Sequence, residues 1–322
     1  MVDTKNSIDI SKYSETGFSI IKSIEDTEGV ADEYHTPTSA SLGDTLFISY
    51  GKIKKATSGY RSLMITINAA GDISAPITLS NISSVATVAL VAHGDKLYAF
   101  YKTGQIENDE AQKIHFGTWD PASNEFTDQD WNKVDSLLAG NNHQVLSGIS
   151  FKGNLYIFGS YSDHSSHYIQ VYKDLQKPDV SHRVKTGTTI KGATAPPDAP
   201  MAVSVFGDEL ALAYRGSDQI LYLTKSSNGT DWSTPKALDI MAGSEGAYVS
   251  ASGPALTVHN GALKLVYTLT PGKPGTVQDG SNMSAWTPRH ERIIGHGQKG
   301  PTPALVSHPR SGALYLISRV NS

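Results

Sequence analysis

Residues 207–235 read GDELALAYRGSDQILYLTKSSNGTDWSTP, and this stretch decides the fold. Two apolar runs, Leu210–Tyr214 and Ile220–Thr224, are joined by the short polar link Arg215–Gln219. A Gly-Asp pair ahead of such a run is a strong hairpin signal. A second tight turn, Ser226–Asp231, follows and ends on a lone tryptophan, Trp232.

The opening phrase has relatives along the chain. GDTLFISY starts at Gly43, GDKLYAFY at Gly94 and GNLYIFGS at Gly153, with looser copies GALKLVYT from Gly261 and GALYLISR from Gly312. The copies recur about every 51 to 59 residues. The residues beyond Gly312 and those up to Gly43 together supply one further period, so the repeat closes on itself. A repeat of this length with four strands per unit marks a β-propeller. Before each glycine turn lies a run of small and apolar residues: PTSASL, TVALVA, LSGISF, MAVSVF, PALTVH and PALVSH. Small side chains suit innermost strands that converge on a crowded axis. Third strands are read at Leu63–Asn68, Lys113–Trp119, Tyr168–Tyr172 and Ile220–Thr224. The last copy stops after its second strand, near Arg319, whereas IDISKY and GFSIIKSI near the start lack inner partners. Pairing the two ends removes an exposed sheet edge. The expectation is an all-β, six-bladed propeller of four-stranded blades, a single domain over 1–322. Its last blade is shared by residues 1–30 and 300–322 and is closed by the N-terminal strands.

Composition narrows the possible partners. Of the 322 residues 39% are hydrophobic and 18% charged, enough apolar material for a large core. The formal net charge of −4, with no basic cluster larger than Lys54–Lys55, gives no footprint for nucleic acid or an anionic membrane surface. No apolar run is long enough for a membrane helix, so membrane insertion is not expected. Cysteine is absent, which excludes disulfides and thiolate metal sites. The start, MVDTKNSIDISKYSETGF, does not read as a signal peptide. Synthesis in the cytoplasm follows as an expectation, with any release by a non-classical route.

The stretch SSNGTDWSTP, Ser226–Pro235, resembles the Asp-box turn of sialidase-like propellers, with Asn228 in place of the aspartate and one residue missing before Trp232. DGSNMSAWTP, Asp279–Pro288, is a fainter echo, and phrases such as GPALTVHNGALKLVYT are similar to bacterial and fungal propeller lectins. The resemblance implies that the box lies between third and outer strands, on the face opposite the ligand, with Trp232 packed between strands. It implies the same structural use for Trp286, Trp119 and Trp131.

A sialidase-like activity would need three arginines converging on a carboxylate, since bidentate guanidinium contacts recognise that group best. The first 30 residues contain no arginine, and Arg61, Arg183, Arg215, Arg289, Arg292, Arg310 and Arg319 do not assemble into that pattern. No carboxylate pair stands out for glycoside hydrolysis either. The phrase SYSDHSSHY places Asp163, His164 and His167 on a link between second and third strands; it reads as a solvated loop rather than a zinc site. No cofactor and no metal are expected.

Binding is favoured by where irregular sequence gathers. The entries to the inner strands, DEYHTP, GNNHQ, TAPPDAP, EGAYVSASGP and GHGQKGP, share one face with the second-to-third-strand links and are rich in Tyr, His, Asn, Asp and Gln. Aromatic rings stack on the apolar faces of sugars while neighbouring polar groups take the hydroxyls. The links range from RGSDQ to TPGKPGTVQDGSNMS, which predicts a few inequivalent sites rather than six alike. The candidate ligand-binding residues are Tyr34, His35, Asn142, His143, Tyr161, His164, Asp198, Arg215, Asp218, Tyr248 and His296. The expected function is a calcium-independent, lectin-like module for cell-surface glycans, with the targeting of a toxin or defence system among its uses. A sialidase-like glycoside hydrolase and a protein-binding scaffold are the alternatives.

Overall fold

A computed structural model of the chain describes residues 6–14, 17–26, 36–54, 59–79, 82, 88–102, 114–129, 146–163, 166–173, 188–196, 200–238, 253–267, 275–280, 286–293 and 302–321. Every element in them is a strand. In chain order, β1 (Asn6–Ser14) and β2 (Gly17–Asp26) precede a first consecutive sheet of β3 (Thr38–Leu42), β4 (Thr45–Lys54), β5 (Gly59–Ile67) and β6 (Ile77–Thr78). The next is β7 (Ala89–His93), β8 (Lys96–Lys102), β9 (Ile114–Asp120) and β10 (Glu125–Gln129). Then come β11 (Leu146–Phe151), β12 (Asn154–Asp163), β13 (Ser166–Lys173) and β14 (Thr188–Thr189). They are followed by β15 (Met201–Phe206), β16 (Glu209–Arg215), β17 (Leu221–Ser226) and β18 (Lys236–Ala237). The last consecutive sheet is β19 (Ala255–His259), β20 (Ala262–Tyr267), β21 (Gly275–Gly280) and β22 (Trp286–Ile293). Finally β23 (Ala304–Ser307) and β24 (Leu314–Asn321) join the two N-terminal strands in the order β2-β1-β24-β23.

The described strands thus pair into six antiparallel four-stranded sheets. The sixth is built from both termini, β1 running against β24 from Asn6 opposite Asn321 to Lys12 opposite Tyr315. The innermost strands pack one on the next, β3 on β7, then β11, β15, β19 and β23, which returns to β3. That is the arrangement of a propeller around a central tunnel. Two readings are corrected. The stretch TPGKPGTVQDGSNMS is not all link, because β21 occupies Gly275–Gly280 within it. Asp163 and His167 do not sit on a loop: β12 runs on to Asp163, and Ser162 pairs with His167 of β13.

The repeated phrase has a turn at one end and a wedge at the other. In the Gly-Asp hairpins only the glycine has positive φ (Gly43 56°, Gly94 61°, Gly207 59°), which makes them type II′ turns. Where the phrase is Lys152-Gly153 or Asn260-Gly261 both residues do, which makes them type I′. Both types twist in the sense that strand pairs require. The sixth residue of the second strand is Tyr50, Tyr101, Tyr214 and Tyr267 in four of the sheets, and each is at most 4% exposed. Each shares a buried cluster with residues of the preceding sheet: Tyr50 with Ile8 and Ile10, Tyr101 with Phe47 and Met64, Tyr214 with Tyr156 and Phe158, Tyr267 with Ala211 and Ala213. The tyrosine of the repeat is therefore packing between blades. No helix among the described residues is long and apolar enough to cross a membrane.

Candidate functional site

Hairpin turns joining first to second strands gather at one end of the ring, and the ends of the second and inner strands away from those turns mark the other. The link fully described at that second end is Gly216–Ile220, between β16 and β17. It is a tight turn: the Gly216 N–H donates to the Ile220 carbonyl at 2.8 Å, and the Gln219 N–H to the Gly216 carbonyl at 2.9 Å. A Cβ on Gly216 would stand 2.6 Å from Asp218 Oδ1 and 2.8 Å from the Tyr222 ring, so glycine is what lets the turn close.

Asp218 is exposed, and both its oxygens are engaged. The Ile220 N–H donates to Oδ1 at 3.1 Å, and the Tyr222 hydroxyl donates to Oδ2 at 2.7 Å. Tyr222 in turn stacks on its cross-strand neighbour Tyr214, with ring centroids 5.5 Å apart and planes at 17°. The hydrogen bond to the Asp218 carboxylate, and then burial, raise the Tyr222 phenol above its ordinary value. Burial pushes Tyr214 up much further, with Tyr222 and Asp218 adding to it. The chemistry on offer is a carboxylate fixed on a rigid turn beside an aromatic pair. Each carboxylate oxygen retains acceptor capacity for a ligand hydroxyl.

Arg215 and Asp218 are close in sequence but lie on different sides of the sheet. Tyr214 packs toward β12, so its neighbour Arg215, opposite Leu221, belongs to the other face, toward β20. The two residues therefore lie toward different neighbouring blades. Tyr161 is a paired strand residue, opposite Tyr168, rather than part of a link. Tyr34, His35, Asn142, His143, His164, Asp198, Tyr248 and His296 lie outside the described residues. Tyr222 was missed by sequence reasoning. Its signal was present, because it stands directly across the hairpin from Tyr214.

At the opposite end the box-like turn joins β17 to β18. Asn228 Oδ1 accepts from the Thr230 N–H at 2.9 Å and the Asp231 N–H at 2.8 Å, and Ser226 Oγ accepts from the Gly229 N–H at 2.8 Å. The amide therefore fills the carboxylate's place in satisfying the turn. Trp232 meets Phe158 of the neighbouring sheet edge-on at 5.6 Å, and the Tyr156 hydroxyl donates to the Asn228 carbonyl at 3.1 Å. Trp119 is likewise packed, against Phe126 and Phe47. Trp131 lies outside the described residues, as does the side chain of Trp286. Among the described residues no group of three or more His, Asp or Glu is placed to hold a metal.

The described residues thus define an all-β propeller of four-stranded sheets with one Asp-box-like turn. Neither a known family profile nor a curated protein matches the sequence. Solved structures do. A Trypanosoma rangeli sialidase in complex with 2,3-difluorosialic acid matches with a TM-score of 0.56 and 11% identity, over 96% of this chain and 56% of that one. The chain thus spans little more than half the sialidase's length. The Aleuria aurantia lectin in complex with Fucα1-6GlcNAc gives 0.55 and 12%, covering 88% and 86%. The SapL1 lectin in complex with α-methyl fucoside gives 0.55 and 12%, covering 88% and 87%. At such identities the likeness is one of fold.

Proposed function

We propose that this protein is a six-bladed carbohydrate-binding propeller that recognises glycans at cell surfaces through the end of the ring bearing Asp218. The observation that carries the reading is the held carboxylate. Asp218 is exposed, yet its geometry is set by Tyr222 and the Ile220 N–H, so little side-chain entropy is lost when a sugar hydroxyl binds. The lectin neighbours, whose ligands are fucosides, support a glycan as the partner class. One monosaccharide site is weak, but several blades engaging one glycan-covered surface gain through effective concentration. Such a module would direct a toxin or defence partner to cells, and that role forms part of the proposal.

The test is binding of the full chain to a broad glycan array, followed by titration of the best ligand into wild type and Asp218→Ala. The expected result is selective binding that falls at least tenfold in the variant, with Tm lowered by only about 3 °C for the two lost hydrogen bonds. Silence across the array removes the reading. Release of sugar from aryl glycosides would replace it with a hydrolase.

A further inference from the structure

The tunnel on the ring axis is a second candidate site, separate from the rim. It encloses about 360 Å³ and is walled by the inner strands of all six sheets. Pockets for small ligands begin at about 300 Å³. Among the described residues its wall contains no Asp, Glu, Lys, Arg or His. Each inner strand has a sheet partner on one side only, so in antiparallel geometry alternate residues turn their N–H and C=O toward the axis. In β3 these are Ser39 and Ser41, since Leu42 and Thr45 close the hairpin. A wall of free backbone donors and acceptors needs partners, because unpaired buried peptide groups are costly.

One further observation bears on what those partners are. At the N-terminal ends of the inner strands, Pro37, Leu146, Met201, Pro254 and Pro303 give the wall an apolar collar. Burying an ion there would cost its hydration with no counter-charge to offset it. The wall suits a neutral molecule with an apolar face and several hydroxyls.

We propose that the axial tunnel binds one uncharged monosaccharide-sized polyol, held by inner-strand backbone groups. This site does not depend on Asp218. The probes are D-glucose, D-galactose, D-mannose and L-fucose, with N-acetylneuraminic acid as the charged control. They are read by saturation-transfer NMR on the full chain and by soaked crystals. At least one neutral sugar is expected to show solution transfer in wild type and density on the axis, the axial density persisting in Asp218→Ala, while the acid binds at least tenfold more weakly. A tunnel holding only a column of water at millimolar sugar overturns the proposal, as does tighter binding of the acid. Binding that disappears in Asp218→Ala while axial density is absent assigns the sugar to the rim and overturns it too.

Discussion

Gly229→Ala, set beside Gly207→Ala, tests whether the box-like turn is a wedge between blades. Both glycines have positive φ, 78° and 59°, so both substitutions carry the left-handed penalty of about 1–2 kcal/mol. Their surroundings differ. At Gly207 a Cβ would meet nothing within 4 Å. At Gly229 it would sit 2.6 Å from the Tyr156 hydroxyl oxygen and closer still to the ring. Tyr156 is 1% exposed and donates to the Asn228 carbonyl, so the ring cannot swing away without losing that bond. Overpacking adds about 1–3 kcal/mol and the lost hydrogen bond about 1 kcal/mol, which brings Gly229→Ala to roughly 3–6 kcal/mol. At about 2.1 cal/mol/K per residue, a chain of 322 residues loses about 1.5 °C of Tm per kcal/mol. Calorimetry should then show a fall of about 2–3 °C for Gly207→Ala and about 5–9 °C for Gly229→Ala. A cycle with Tyr156→Ala should give a double variant less unstable than the sum by about 1–3 kcal/mol. Equal effects of the two glycine substitutions, or strict additivity with Tyr156→Ala, would refute the wedge.

Three other outcomes follow from the same contacts. The Tyr222 phenol is raised chiefly by its bond to Asp218, so its stabilisation is complete below pH 10 and is shed as pH climbs through the raised value. A difference titration at 295 nm between wild type and Tyr222→Phe should place its ionisation above pH 10, and Asp218→Ala should bring it down; no movement would sever the pair. Tyr101→Ala removes a wedge buried to 1% and should cost about 3–5 kcal/mol, lowering Tm by about 6 °C; a loss under 1 °C would rule out the packing role. Lys225 and Glu209 pair at 2.8 Å with side chains 47% and 33% exposed, so a double-mutant cycle should return under about 1 kcal/mol; a larger coupling would mean the pair is shielded from solvent.

The parts of the fold legible in sequence are those where backbone chemistry demands particular residues. Positive φ in the hairpins selects Gly43, Gly94 and Gly207, and the crowded axis selects small residues in TSASL and ALVS, so first and second strands could be read together. Outer strands could not, because β6, β14 and β18 are two residues long and carry no period. β21, GTVQDG, is glycine-bounded and polar, and so resembles a link. Tyr161 and His167 were misplaced because strands that continue past the core end in polar residues, just as loops do. At the site, adjacency in sequence misled in another way. Arg215 and Asp218 are three residues apart, but strand alternation sends them toward different neighbouring blades, while the true neighbour of Asp218 is Tyr222, across the turn.

That separation bears on ligand charge. Binding a sugar carboxylate requires guanidinium groups converging on one spot. Among the described residues, Arg215 turns toward β20, Arg310 is paired with Asp44 at the hairpin end of the ring, and no arginine lines the tunnel. The polar groups fixed at the described rim and along the axis are instead a carboxylate, hydroxyls and backbone amides. A carboxylate repels an acidic sugar and accepts from a neutral one, and the described axial wall offers an ion no counter-charge. Rim and axis therefore select the same ligand chemistry from different residues, so neutral glycans should be preferred over sialylated ones at both places. An array on which sialosides lead would contradict the rim and the axis together.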